Sequence, residues 1–90
     1  MSKECCILKL NTGEELIARV EFKEDEIVLD HPMLIQVIMQ QNTPGFGMLP
    51  WVMSSQDTEF TIDSNIVIAK GKPKSDLESK YLSAATGLTL

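Results

Sequence analysis

The sequence predicts a mostly-β domain: a small, strongly bent antiparallel sheet of five strands that curls into an open barrel, with one C-terminal α-helix. Three observations predict it. Apolar residues recur at every second position in several short runs, which is strand spacing. Those runs are separated by compact turn signals. The last part of the chain then changes to helical spacing behind a capping signal. Ninety residues form one domain with one core. We expect residues 1–72 to form the barrel and 73–90 a helical extension packed on it.

The first strand is expected over Cys5 to Leu10, where Cys6, Leu8 and Leu10 alternate with Cys5, Ile7 and Lys9. Asn11-Thr12-Gly13 is turn chemistry, because Gly13 tolerates positive φ. Glu15 to Lys23 is the second strand. Its apolar residues Leu16, Ala18, Val20 and Phe22 fall at i, i+2, i+4 and i+6, which excludes a helix. Lys23-Glu24-Asp25-Glu26 is a charged turn. The third strand starts at Ile27 and resumes at Met33 to Gln40, with a bend or bulge at His31-Pro32, since Pro32 cannot donate to a ladder. Asn42 to Gly47, with a proline and two glycines, reads as a loop. Met48 to Ser55 is the fourth strand, with Leu49, Trp51 and Met53 on one face; Pro50 marks it as an edge. Ser55 to Thr58 is a polar turn or bulge, and Phe60 to Ile62 resumes the strand. Asp63-Ser64-Asn65 is a tight turn and Ile66 to Lys70 the fifth strand. Gly71-Lys72-Pro73-Lys74 ends the sheet. A helix follows from about Asp76 to Thr86, with Ser75 as N-cap, Glu78 completing a capping box, and Leu77, Tyr81, Ala84, Ala85 and Leu88 as its apolar stripe. Gly87 suits the position that ends it.

Composition narrows the function classes. The net charge is −5, which argues against broad electrostatic binding to nucleic acid while leaving room for a local basic patch. The two cysteines, Cys5 and Cys6, are adjacent; neighbours in a strand point to opposite faces, so a bridge between them is disfavoured. Free cysteines fit a reducing, cytoplasmic setting. The lone histidine, His31, cannot assemble the roughly four ligands a structural metal needs. No apolar run is long enough to cross a membrane, and Met1-Ser2-Lys3-Glu4 opens no signal peptide. No nucleophile–base pair, metal cluster or phosphate loop is present, so we expect no enzyme and no cofactor. A chain this small has a modest core of its own, which points to oligomerisation as its main source of added stability.

The order of features resembles the Sm-like (LSm) family across about residues 5–70. Ile7-Leu8-Lys9-Leu10-Asn11-Thr12-Gly13-Glu14-Glu15-Leu16-Ile17-Ala18 is similar to the start of the family's first motif. Ile27-Val28-Leu29-Asp30 resembles its third strand, and Phe60-Thr61-Ile62-Asp63-Ser64-Asn65-Ile66-Val67-Ile68 its second motif. The whole chain, C-terminal helix included, resembles small Sm-like proteins encoded by tailed phages of marine bacteria, the cyanophages among them. The resemblance implies a cyclic homo-oligomer of roughly five to seven subunits. It also implies a barrel capped by a helix, a role the C-terminal helix would take here because the first strand starts almost at once. RNA-binding members carry an acidic residue and an asparagine in the turn between strands two and three, and Arg-Gly in the last turn. Here the first turn, Lys23-Glu24-Asp25-Glu26, has no asparagine, and Asp63-Ser64-Asn65 replaces the second. The family's uridine pocket is therefore not carried over to any residue.

Five residues are candidates for contact with single-stranded nucleic acid: Phe46, Trp51, Lys70, Lys72 and Lys74. An exposed aromatic can stack on a base; for Trp51 the stronger reading is packing in the core or in a subunit interface, and Phe46 stands on an expected loop tip. Lys70, Lys72 and Lys74 are the one local run of positive charge, suited to phosphate or simply a solvated linker. His31 and Glu24, Asp25 and Glu26 read as structural and solvated. Two functions follow: a ring-forming module that binds single-stranded RNA or DNA weakly, or an oligomeric protein-interaction or structural module that has lost the RNA site.

Overall fold

The computed structural model describes residues 4–87. Six strands, β1 (Glu4–Leu10), β2 (Glu15–Phe22), β3 (Glu26–Gln40), β4 (Thr43–Pro50), β5 (Glu59–Asp63) and β6 (Val67–Gly71), precede one helix, α1 (Ser75–Gly87). All belong to one antiparallel sheet in the order β4-β3-β2-β1-β6, with β5 also on β3. The long β3 carries two partners end to end: β5 on Glu26–Asp30 and β4 on Met33–Gln40. The fourth strand expected from the sequence is thus two, β4 and β5, which makes six strands of the expected five. β5 and β6 are joined by a 3-10 turn at Ser64–Ile66 and do not pair with each other, so the barrel is open.

The bulge at His31-Pro32 organises the interior. Ile17 pairs with Met33 but Arg19 pairs with Asp30, so two residues of β3 stand opposite Ala18 alone. His31 takes φ 54°, a left-handed conformation that costs a non-glycine residue energy. The extra residue reverses the alternation of β3. Ile27 and Leu29 before it, and Leu34 after it, pack in the barrel with Cys6, Leu8, Leu10, Leu16, Ala18 and Val20. Met33 and Ile35 instead turn to the opposite face, where Ile17 also lies.

That second face is covered by α1. Leu77, Tyr81 and Ala85, at helical spacing, bury against Ile17 and Met33, which are the three contacts expected of the helix. Leu88, expected to extend the stripe, lies outside the described residues. The Tyr81 side chain is 0 % exposed, and its hydroxyl fills the bulge. It donates to the carbonyls of Asp30 and His31, each at 2.9 Å, and accepts from the Arg19 N–H at 3.2 Å. These backbone groups flank the irregular register. The side chains outside complete the clamp: Asp30 accepts from the Arg19 guanidinium at 2.6 Å and meets His31 Nδ1 at 2.9 Å.

Three local expectations are corrected. The segment Asn42 to Gly47 is not a loop. Gln41 and Asn42, at φ 51° and 69°, make a two-residue hairpin turn, and β4 begins at Thr43. Phe46 therefore lies within a strand, opposite Val37, and not on a loop tip. Pro44 and Pro50 are tolerated because β4 is an edge. Secondly, β4 ends at Pro50, so Trp51 and Met53 belong to the following turn. Thirdly, the Glu78 N–H donates to the Lys74 carbonyl at 2.8 Å, so Lys74 holds the cap position and Ser75 is already helical. The free Leu77 N–H is met by the Asp76 carboxylate at 2.8 Å. Ser75→Ala is accordingly expected to shift stability in a urea titration by less than about 0.5 kcal/mol, where loss of a true cap costs ~1 kcal/mol.

Candidate nucleic-acid interface

Alternation along β2 directs Leu16, Ala18 and Val20 into the barrel; Phe22, next in that series, reaches the end of the barrel and is 42 % exposed. β6 passes beside it on the far side of β1. Lys70, opposite Leu8 in the β1–β6 ladder, holds its ammonium 4.4 Å from the centre of the Phe22 ring. This is a cation on an aromatic face. Around the pair lies a recess of about 350 Å³ lined also by Lys23, Ile27, Ser64, Val67 and Ile68. The β2–β3 turn and the 3-10 turn meet at its rim, tied by the Ser64 N–H donating to the Asp25 carbonyl at 3.0 Å. The Asp63 carboxylate shapes the second turn by accepting from the Asn65 N–H at 2.8 Å.

The recess offers a flat ring for a base and two ammonium groups for phosphate, a combination suited to single-stranded nucleic acid. Its surroundings oppose it. Glu24 and Asp25 share the turn with Lys23, and Glu26 stands directly opposite Asp63 in the β3–β5 ladder. Four carboxylates near two lysines leave a weak field for an anion.

The five residues singled out in the sequence do not converge. Lys70 lies in this recess. Lys72 and Lys74 are exposed on the segment between β6 and α1. Phe46 is 45 % exposed and lines a different recess, with Pro44, Gly45, Asp76, Leu77 and Lys80. Trp51 is half-buried: it packs on the barrel core and meets Phe60 edge-on, with ring centres 6.4 Å apart, beside a third recess lined by His31, Pro32 and Met53. Sequence reasoning missed Phe22 and Lys23. The available signal was an aromatic at the last position of the cleanest alternating strand, next to a charged turn.

Other reactive groups are quiet. Burial pushes the Cys5 thiol up to about 11, with Glu78 and Cys6 adding to the effect; burial and then Glu4 also raise Cys6. Thiols held protonated in this way are poor nucleophiles. Among the described residues no three His, Cys, Asp or Glu side chains are grouped to hold a metal, and no helix is long and apolar enough to cross a membrane.

Residues 7–81 match the family model of the Sm_like domain. No curated protein matches the chain.

Proposed function

The chain belongs to the Sm-like domain family, and from that premise we propose that it is a ring-forming module that binds single-stranded nucleic acid weakly at the Phe22–Lys70 recess. Sm-like domains commonly form rings and bind RNA. The observation that carries the reading for this chain is the half-exposed Phe22 ring with Lys70 over its face, in an open recess where two turns meet. A base displaces the ammonium from the ring, and Lys70 and Lys23 then turn to the flanking phosphates; Lys72 and Lys74 extend the positive track. The acidic rim keeps the affinity low and removes uridine selectivity. The setting that goes with this reading is the cytoplasm of a bacterial or phage-infected host cell.

Fluorescence titration with labelled oligouridine, oligoadenosine and oligothymidine tests it. The expected result is weak binding to all three, lost as salt is raised, and weakened roughly tenfold by Phe22→Ala, with Lys70→Glu abolishing it. Tight, uridine-selective binding at physiological salt contradicts the reading, as does unchanged affinity in both variants. A second reading, a protein-interaction or structural ring that has lost its RNA site, is favoured by the carboxylates of Glu24, Asp25, Glu26 and Asp63 at the rim. An intact ring that binds none of the three oligonucleotides would establish it.

A further inference from the structure

All 21 charged side chains of the chain lie outside residues 32–56; those 25 consecutive positions carry none. They include the distal part of β3, β4 and the turn between them, which together form a two-stranded arm. The β2 ladder on β3 stops at Leu34. From Ile35 to Gln40, β3 has β4 on one side and, among the described residues, no strand on the other. A ribbon of two strands is marginal in water on its own, and this one is strongly apolar at its surface: Val37 and Met39 are each 65 % exposed, with Ile38 and Phe46 over 40 %.

The β4 edge carries residues that discourage pairing, Pro44 and Pro50, and the β5 and β6 edges are the ones that meet in the proposed ring. The free edge of β3 reads Ile35-Gln36-Val37-Ile38-Met39-Gln40, with no charge, proline or glycine. An unguarded apolar edge of this kind is a template for another strand. Phosphate and charged peptides find nothing there to pair with. A second copy does: in a chain carrying −5 two copies of this uncharged arm can approach without like-charge repulsion between them. The segment is also self-complementary. Antiparallel pairing about a two-fold axis at Ile38 sets Ile38 against Ile38, Val37 against Met39, and Gln36 against Gln40, so apolar meets apolar and amide meets amide. Gly45 and Gly47 opposite leave that face of β4 bare, and Ile38 lies across it: a Cβ at Gly47 would come within 2.5 Å of its Cδ1.

We propose that the free edge of β3, Ile35–Gln40, is a self-association surface through which two copies join their arms into one four-stranded sheet. This contact is separate from the β5 and β6 edges that a ring uses, so it joins two rings where rings form and two single chains where they do not. Light-scattering mass of the full chain and of Val37→Lys/Met39→Lys tests it. Both positions are exposed, so the fold persists. The expected result is an even number of copies for the unaltered chain and half that mass for the variant. In parallel, Ile38→Cys treated with an added oxidant is expected to form a covalent dimer on a denaturing gel, and the unaltered chain none. Unchanged mass in the double variant, or no covalent dimer from Ile38→Cys, overturns the proposal. A ring that fails to form appears differently, as a fall from two copies to one.

Discussion

Replacing Tyr81 is expected to destabilise the protein more than any other single change in the helix. Tyr81→Ala removes a fully buried aromatic side chain, a change that costs ~3–5 kcal/mol in a core. It also strips the bulge of the Tyr81 hydroxyl that α1 supplies to it. A domain of this size has about 5–10 kcal/mol in total, so roughly half of its stability is at stake. Tyr81→Phe separates the two contributions. The ring stays, while the carbonyls of Asp30 and His31 and the N–H of Arg19 lose their shared hydroxyl. Buried groups left unpaired in this way cost ~1–3 kcal/mol, a fall in Tm of roughly 5–20 °C. A Tyr81→Phe melting point equal to that of the unaltered protein would show that the hydroxyl does not hold the bulge.

Alkali probes the same contact without mutation. Burial, more than any neighbouring charge, raises the Tyr81 phenol from 10.0 to about 12. The neutral phenol is the form the fold accepts, so its contribution is complete below pH 10 and is lost as pH rises towards 12. Cys5, raised from 9.0 to about 11 by burial first, adds a loss of the same sign that begins nearer pH 9. Stability measured by urea titration is therefore expected to decline above pH 9 and to steepen above pH 10. In Tyr81→Phe the second component is absent.

The second large effect concerns the edges. β5 is paired on β3 and β6 on β1, each on one side, and Ile68 on β6 is 64 % exposed. In the proposed ring, β6 of one copy adds to β5 of the next, and a repeated head-to-tail contact of this kind closes into a ring when its rotation divides a full turn. Ile68→Asp places a charge in that seam. The expected result is loss of the ring at low micromolar concentration, roughly a five-fold or greater fall in mass, with circular dichroism unchanged because Ile68 faces solvent within one chain. An unaltered mass would place the seam elsewhere.

Much of the fold was legible because it is local. The alternation of Cys6, Leu8 and Leu10, and of Leu16, Ala18 and Val20, names the barrel face of β1 and β2 directly. Leu77, Tyr81 and Ala85 name the buried stripe of α1. Pro32 announces the bulge, since it cannot extend a ladder. Errors arose where a residue type serves two structures. Pro44, Gly45 and Gly47 read as a loop, yet an edge strand tolerates the prolines, and Gly47 makes room for Ile38. Ser75 looks like a cap, yet the first turn begins one residue earlier. The candidate site was less legible, because it depends on juxtaposition. Phe22 and Lys70 stand far apart in the sequence and meet only once β6 is laid beside β1. Nothing in either residue's neighbourhood announces the other. Trp51, the single tryptophan, follows the packed reading that its size favours: it lies on the core, though only the fold brings Phe60 to its edge.

Sedimentation equilibrium of the full chain at low micromolar concentration is the most direct measurement of the central claim, that this Sm-like domain assembles into a ring. The expected result is a single species of five or more copies of the 10.0 kDa chain. A mass of one or two copies contradicts the ring; a clean two-copy species would leave the pairing of arms as the only contact between chains, and a 10.0 kDa monomer would remove both.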